Sequence, residues 1–164
     1  MNNSTLKTRL VAILAAASIL TVGAFAQKAS DFKAANKTWS NVVRDMASFD
    51  KIVKAKKWKS VHEAAFAVRD DALLLPGDSK ALTPANMTKL KAHLKEIGSL
   101  AGELDEAGDA NNGKLVTTLA AKFRMHVNMI PSVYPKGAFP MKAAMPAHKP
   151  AKKAKHDDHH GGGH

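Results

Sequence analysis

The C-terminal segment of the chain carries its densest set of potential metal ligands. Imidazole and carboxylate groups come there from His148, His156, Asp157, Asp158, His159, His160 and His164. Neutral imidazoles and carboxylates on one flexible segment can bind Cu, Ni or Zn without a preformed cage. The spacing of these residues fixes no coordination geometry, so the sequence predicts metal affinity without naming the ion. The alternative interpretation is a solubilising tail with no metal function.

A second set of residues combines methionine with histidine. Its members are Met125, His126, Met129, Met141, Met145 and again His148. Thioether and imidazole ligands together suit Cu(I). Methionine is also a common core residue, so the alternative for Met125 and Met129 is that they fill gaps between helices. His126 lies on a predicted apolar helix face, where the alternative to a metal ligand is a buried histidine with a hydrogen bond.

Other reactive residues do not complete a catalytic motif. His62-Glu63 begins the zinc-protease pattern His-Glu-x-x-His, but Phe66 stands where the second histidine is required. The pair Asp70-Asp71 and the acidic residues at 103–106 are interpreted as solvated helix surface. No nucleophile, base and orienting group can be assembled, so the chain is predicted not to be an enzyme. The sequence has no cysteine, which excludes disulfides, thiolate metal sites and haem attached through thioethers.

Four amphipathic helices are predicted to position these residues. They run from Ser30 to Ala55, from Trp58 to Pro76-Gly77, from Thr83-Pro84 to Gly108-Asp109, and from Val116 to Ile130, where Pro131 stops the last one. Apolar side chains recur in each at steps of three and four residues. The apolar phase shifts at Lys56-Lys57, which predicts a turn between the first two helices. The sequence therefore predicts an all-α, antiparallel four-helix bundle over residues 27–135.

The two ends of the chain differ from this bundle in composition. Residues 136–164 are rich in Lys, Pro and His and have almost nothing to bury, so they are predicted to form a disordered tail. Residues 1–26 place Lys7 and Arg9 before an apolar run that closes with Ala24-Phe25-Ala26. This pattern is typical of a secretory signal peptide cleaved after Ala26. The run is shorter than a membrane span, so the mature chain is predicted to be periplasmic or extracellular.

The charge of the chain bears on its partners. Its 25 Lys and Arg against 14 Asp and Glu give a formal net charge of +11. In an exported protein this charge favours contact with anionic polymers of the cell envelope. Nucleic acid is not an expected partner, because no aromatic residues alternate with the lysines to stack on bases. Bundles of this kind often dimerise, so a homodimer is one open alternative.

The predicted bundle resembles a known family. An exported, Ala- and Lys-rich bundle with a short turn, Glu106–Asp109, before its last helix resembles the cytochrome c′ and soluble four-helix cytochrome b superfamily. The resemblance covers residues 30–134 and depends on the overall pattern more than on a motif. It implies a haem inside the bundle and a role in periplasmic electron transfer.

The same resemblance implies two haem ligands. In that family a histidine near the end of helix four holds the iron and, in the b type, so does a methionine on helix one. The matching residues here are His126 and Met46. The covalent attachment motif Cys-x-x-Cys-His is absent, since the local sequence is Lys122-Phe123-Arg124-Met125-His126. The resemblance therefore implies a non-covalent haem b.

Together these observations predict an exported helical-bundle protein that binds haem or a transition metal in the cell envelope, with electron transfer as the associated role. One alternative is a metal-buffering or resistance protein that uses the His-rich tail. The other is a structural or interaction module of the envelope that binds no ligand.

Overall fold

The fold of residues 28–139, described by a computed structural model, consists of helices without strands, which confirms the all-α prediction. The four α-helices are α1 (Lys33–Lys54), α2 (Val61–Asp78), α3 (Pro84–Asp109) and α4 (Gly113–Met129). Short 3₁₀ helices lie at Ala29–Phe32, Trp58–Ser60 and Ile130–Val133. The predicted signal peptide and residues 140–164 lie outside the described residues. None of the helices in residues 28–139 has both the length and the apolarity needed to cross a membrane.

One hydrophobic core takes an apolar face from each helix. Its largest fully buried side chains are Trp39, Phe32, Phe49, Phe123, Met46, Leu75, Leu90, Ile97, Leu104, Ile130, Val42 and Val61. Each helix packs against the next in the chain, and α1 also contacts α4. The rings of Phe49 and Phe123 join α1 to α4 with their centroids 5.1 Å apart. Each such side chain stabilises the fold by about 1.5–3 kcal/mol through burial.

The ends of the helices follow local side-chain chemistry. The Thr83 hydroxyl accepts a hydrogen bond from the Asn86 N–H, and Pro84 opens α3, as predicted. The prediction that α2 stops at Pro76-Gly77 was wrong, because the helix continues to Asp78. A proline so close to a helix end removes only one backbone hydrogen bond, so the last turn still forms.

The turn between α1 and α2 lies where the apolar phase shifts. Lys56 has a φ of 56°, in the left-handed region, and this residue breaks the helix. The N–H of Lys57 donates to the carbonyl of Ile52, and the N–H of Lys56 donates to that of Val53. These bonds satisfy the last carbonyls of α1, as in a Schellman ending. The predicted turn at Lys56-Lys57 is confirmed.

The packed body extends past the predicted start of the tail at residue 136. Ala138 is buried, and the Phe139 ring stacks on Trp39 with the centroids 5.3 Å apart. Next to them, the hydroxyls of Tyr134 and Ser79 share a buried hydrogen bond of 2.7 Å. The packing therefore continues at least to residue 139, beyond the boundary predicted after residue 135, because single aromatic residues can anchor a segment whose composition is otherwise polar.

Two glycines allow close packing where α3 ends and α4 begins. A Cβ on Gly108 would lie 2.6 Å from the backbone oxygen of Trp58 and 2.8 Å from Cγ1 of Val61. A Cβ on Gly113 would lie 2.7 Å from the Trp58 indole. These approaches are shorter than van der Waals contact, so the missing side chains let this turn pack directly on the start of α2.

Substituting Gly108→Ala is expected to lower the free energy of unfolding by about 1–3 kcal/mol, because the methyl group would push against backbone and a buried side chain. The measurement is urea unfolding followed by circular dichroism. Gly102→Ala is the matched control, since open space surrounds Gly102 in the same helix. That change should stabilise the protein by roughly 0.5–1 kcal/mol through helix propensity. Equal effects of the two substitutions would contradict the described packing.

Candidate metal centre

Two histidines from different helices meet at the surface of the core. The Nδ1 atom of His93 on α3 lies 3.4 Å from the Nδ1 atom of His126 on α4. The ring centroids are 5.7 Å apart, so the two Nδ1 edges face each other. Both side chains are half-buried. The structure thus brings together two imidazole nitrogens that are 33 residues apart in the chain.

The distance between these nitrogens fits shared metal ligands better than a hydrogen bond. Hydrogen bonds from nitrogen donors are usually 2.7–3.2 Å long, so about 3.4 Å is long for one. Two nitrogens that each bind one tetrahedral ion at about 2.0–2.1 Å are about 3.3–3.4 Å apart.

The helical spacing of α4 explains why His126 faces α3. Phe123 is buried against Phe49 of α1, and Arg124 pairs with Asp50 of α1. His126 follows Arg124 by two residues, which is a rotation of about 200° around the helix. Arg124 and His126 therefore lie on opposite flanks of the buried face, one towards α1 and the other towards α3. His126 was predicted within the apolar stripe, but it is half-buried at the edge of that stripe, whereas the next residue, Val127, is fully buried.

The environment of His93 favours the form that binds metals. Burial lowers the pKa of His93 below its ordinary value of 6.5, and the neighbouring His126 lowers it further. Burial acts by disfavouring the charged imidazolium, and a second imidazolium nearby would be repelled. His93 is consequently neutral at pH 7, with a lone pair free on one ring nitrogen. A neutral imidazole is the ligand form of histidine.

Two methionines near His126 are exposed. Met125 is 53% exposed and Met129 is 46% exposed. The interpretation of these residues as gap-filling core methionines is therefore wrong. Met125 precedes His126 directly, and Met129 is one turn further along the same helix. Their thioether groups are therefore accessible from the surface of α4.

Met46, the other predicted haem ligand, lies in a different place. Its side chain is fully buried in the core on α1. The contacting rings of Phe49 and Phe123 fill the space between α1 and α4, one turn from Met46 and one turn from His126. His126 is paired with His93 and not with Met46. Residues 28–139 in this packing therefore do not fit a haem held between Met46 and His126.

A surface groove of about 260 Å³ lies away from these residues. It is lined by Glu103, Glu106, Ala107, Ala110, Asn112, Leu115 and Leu119. None of the predicted haem ligands contributes to it. The predicted tail ligands, His148, His156, Asp157, Asp158, His159, His160 and His164, lie outside the described residues.

His93 is the site residue that sequence reasoning missed. It borders the buried side chains Leu90 and Leu94, but its partner could not be read from α3 alone. The turn after α3 indicates which residue of α4 lies opposite His93. The Asn112 N–H donates to the Ala107 carbonyl across this turn. His93 precedes Ala107 by the same number of residues as His126 follows Asn112. Helices that leave one turn in opposite directions bring such equidistant residues to the same height, because each residue rises about 1.5 Å.

The lowered pKa of His93 predicts a pH dependence of stability in the metal-free protein. Below pH 6.5 the unfolded chain binds a proton at this residue more readily than the folded chain does. The stability associated with neutral His93 is thus complete above pH 6.5 and is lost as the pH falls through the folded pKa. Urea midpoints between about pH 7.5 and 5.5 should fall more steeply for the wild type than for His93→Gln.

This comparison removes the titration of His93 together with its repulsion of His126. Charged neighbours by helical spacing are Lys89 and Glu96 on α3 and Lys122 on α4, and they are present in both proteins. Burial also raises the pKa of Asp71, and the nearby Asp45 raises it further. A raised carboxyl pKa stabilises the folded protein as the pH falls, which is opposite in sign to the effect of His93. Because Asp71 is present in both proteins, its contribution cancels in the difference between their urea midpoints. Identical pH profiles for the two proteins would show that His93 titrates as an exposed residue.

The functional interpretation of this site depends on its own geometry. Comparisons with protein-family models, with curated proteins and with solved structures found no match to this chain. The resemblance to the cytochrome c′ and cytochrome b superfamily stays a prediction from sequence pattern.

Proposed function

We propose that this protein is an exported, antiparallel four-helix bundle that binds a soft transition-metal ion, Cu(I), in the cell envelope through His93 and His126. The observation that carries the proposal is the 3.4 Å separation of their Nδ1 atoms. The proposed role of the protein is to bind the metal ion without catalysing a reaction. Export follows from the predicted signal peptide, and the predicted tail ligands would add capacity for further ions.

Contacts between helix ends support the antiparallel arrangement. Thr38 near the start of α1 donates a hydrogen bond to Asp78 at the end of α2. His62 near the start of α2 lies 3.8 Å from Asp105 near the end of α3. His93 in the first half of α3 meets His126 near the end of α4. Each contact joins an early part of one helix to a late part of the next, which is the pattern of an up-and-down bundle.

The donor set supports Cu(I) over harder ions. Imidazole and thioether are the ligand types that favour Cu(I), whereas carboxylates favour harder cations. His93 and His126 supply the imidazoles, and Met125 and Met129, on the same helix as His126, carry exposed thioethers. A singly charged cation is also repelled less than a doubly charged one by a protein of net positive charge.

The competing location for the metal is the His-rich tail. A full-length variant with glutamine in place of His148, His156, His159, His160 and His164 separates the two. It is titrated with Cu(I) under anaerobic conditions in competition with a chromophoric Cu(I) chelator. The first equivalent should bind as tightly as in the wild type, because the bundle site is intact. Loss of this first equivalent would place the primary site in the tail and overturn the proposal.

A further inference from the structure

We propose a second metal site, for a divalent transition-metal ion, where the start of α2 meets the end of α3. Its ligands are His62, Asp105 and Asp109. One ligand atom from each of these residues lies within 4.8 Å of the other two. Nδ1 of His62 lies 3.8 Å from Oδ1 of Asp105.

The spacing of these atoms is close to that around a bound ion. Zn²⁺ binds histidine nitrogen at about 2.0–2.1 Å and carboxylate oxygen at about 2.0–2.2 Å, so its ligand atoms are about 3–3.5 Å apart. Because the ligand atoms lie within 4.8 Å of one another, reaching that spacing requires a closure of at most about 1.3–1.8 Å. The three side chains are partly or fully exposed. At 3.8 Å, His62 and Asp105 are too far apart for a direct hydrogen bond.

The charges at the end of α3 also favour a cation. Asp105 and Asp109 are four residues apart on one helix, where like charges repel. They lie at the negative end of the helix dipole, and the last turn of α3 contains no basic residue. Among residues 28–139, no lysine or arginine forms an ion pair with either carboxylate. A bound cation would relieve both the repulsion and the dipole effect.

The packing beneath the site holds its two halves together. Gly108 lies between the two aspartates in sequence and packs against the Trp58 backbone, four residues before His62. Gly113 packs against the indole of the same tryptophan. The Phe66 ring approaches His62 edge-on, at a centroid distance of 6.3 Å. The start of α2 and the end of α3 are consequently held together without a bound ion.

The ligand set distinguishes this site from the one at His93 and His126. One imidazole with two carboxylates suits Zn²⁺, Co²⁺, Ni²⁺ or Mn²⁺ and leaves further positions for water. Twelve residues of α3 separate His93 from Asp105, which is about 18 Å along the helix. The second site therefore goes beyond the proposed function and does not depend on it.

The test uses Co²⁺ as the probe ion with the full-length protein. Paramagnetic pseudocontact shifts of backbone amides locate Co²⁺ relative to the helices. We expect a set of shifts that places one ion beside His62, Asp105 and Asp109. Asp105→Asn and Asp109→Asn should each weaken binding at this position by at least about tenfold, since even outer-shell changes cost roughly 10–100-fold. Both substitutions keep side-chain size, and the residues lie at the surface, so folding should be unaffected.

Two controls make the outcome decisive. Glu103→Gln removes a neighbouring exposed carboxylate outside the ligand set and should leave the shifts unchanged. His93→Gln should also leave them unchanged, which separates this proposal from the proposed function. Shifts that place Co²⁺ only in residues 148–164, or shifts that persist in both aspartate variants, would overturn the second site.

Discussion

Replacing either His93 or His126 with glutamine is expected to weaken binding of the first Cu(I) ion by at least about 100-fold, and replacing both should weaken it little further. Each imidazole supplies one of two nitrogens to the same ion, so loss of either removes the chelate. Changes in outer-shell partners alone cost roughly 10–100-fold, and removing a ligand should cost more. Anaerobic competition titrations of the full-length protein give the affinities.

The double-substitution cycle is the informative part of this experiment. Residues that act on separate sites have additive effects, whereas ligands of one ion do not. His62→Gln is the matched control, because His62 is also a half-buried histidine but lies on α2, beside the far end of α3. It should leave the affinity for the first Cu(I) ion unchanged. Additive losses at His93 and His126 would mean that the two imidazoles bind separate ions.

Substituting Phe123→Ala is expected to lower the free energy of unfolding by about 3–5 kcal/mol, the usual cost of removing a buried phenylalanine. Phe123 is fully buried and contacts Phe49 across the interface between α1 and α4. Small domains are stable by only about 5–15 kcal/mol, so this variant should approach the limit of folding. Urea unfolding followed by circular dichroism measures the loss.

The neighbouring substitution Met125→Ala serves as the control. Met125 is on the same helix but 53% exposed, so its loss should change stability by less than about 0.5 kcal/mol. The comparison also tests the packing between Met46 and His126. A loss below about 1 kcal/mol for Phe123→Ala would mean that α1 and α4 are not closely packed there, which would leave room for a haem between the predicted ligands.

The helices could be predicted from the sequence because their signals are local. The Thr83 hydroxyl caps the start of α3 and Pro84 occupies its first position. The turn at Lys56-Lys57 is marked by a shift in the apolar pattern between neighbouring segments of the chain. The boundary errors have local causes too. Pro76 was expected to end α2, but the helix continues to Asp78. Phe139 packs on Trp39 although the segment around it is otherwise polar, so composition did not indicate this contact.

The site could be predicted only in part, because it depends on contacts between helices. His126 was identified as a candidate from its own helix, but periodicity along α4 cannot tell which neighbouring helix a flanking residue faces. The residue pair His93 and His126 becomes visible only when positions are counted outward from the turn between α3 and α4. His62, Asp105 and Asp109 were missed for the same reason, since each resembles ordinary helix surface when its helix is considered alone.

The most direct test of the account is to follow the histidine side chains by nuclear magnetic resonance while the first equivalent of Cu(I) is added to the full-length protein. The ring nitrogen signals of His93 and His126 should shift first and together, before those of His148 or the histidines at 156–164. If the histidines of the tail shift first while His93 and His126 do not change, the metal-binding function would belong to the tail and the bundle would be its scaffold.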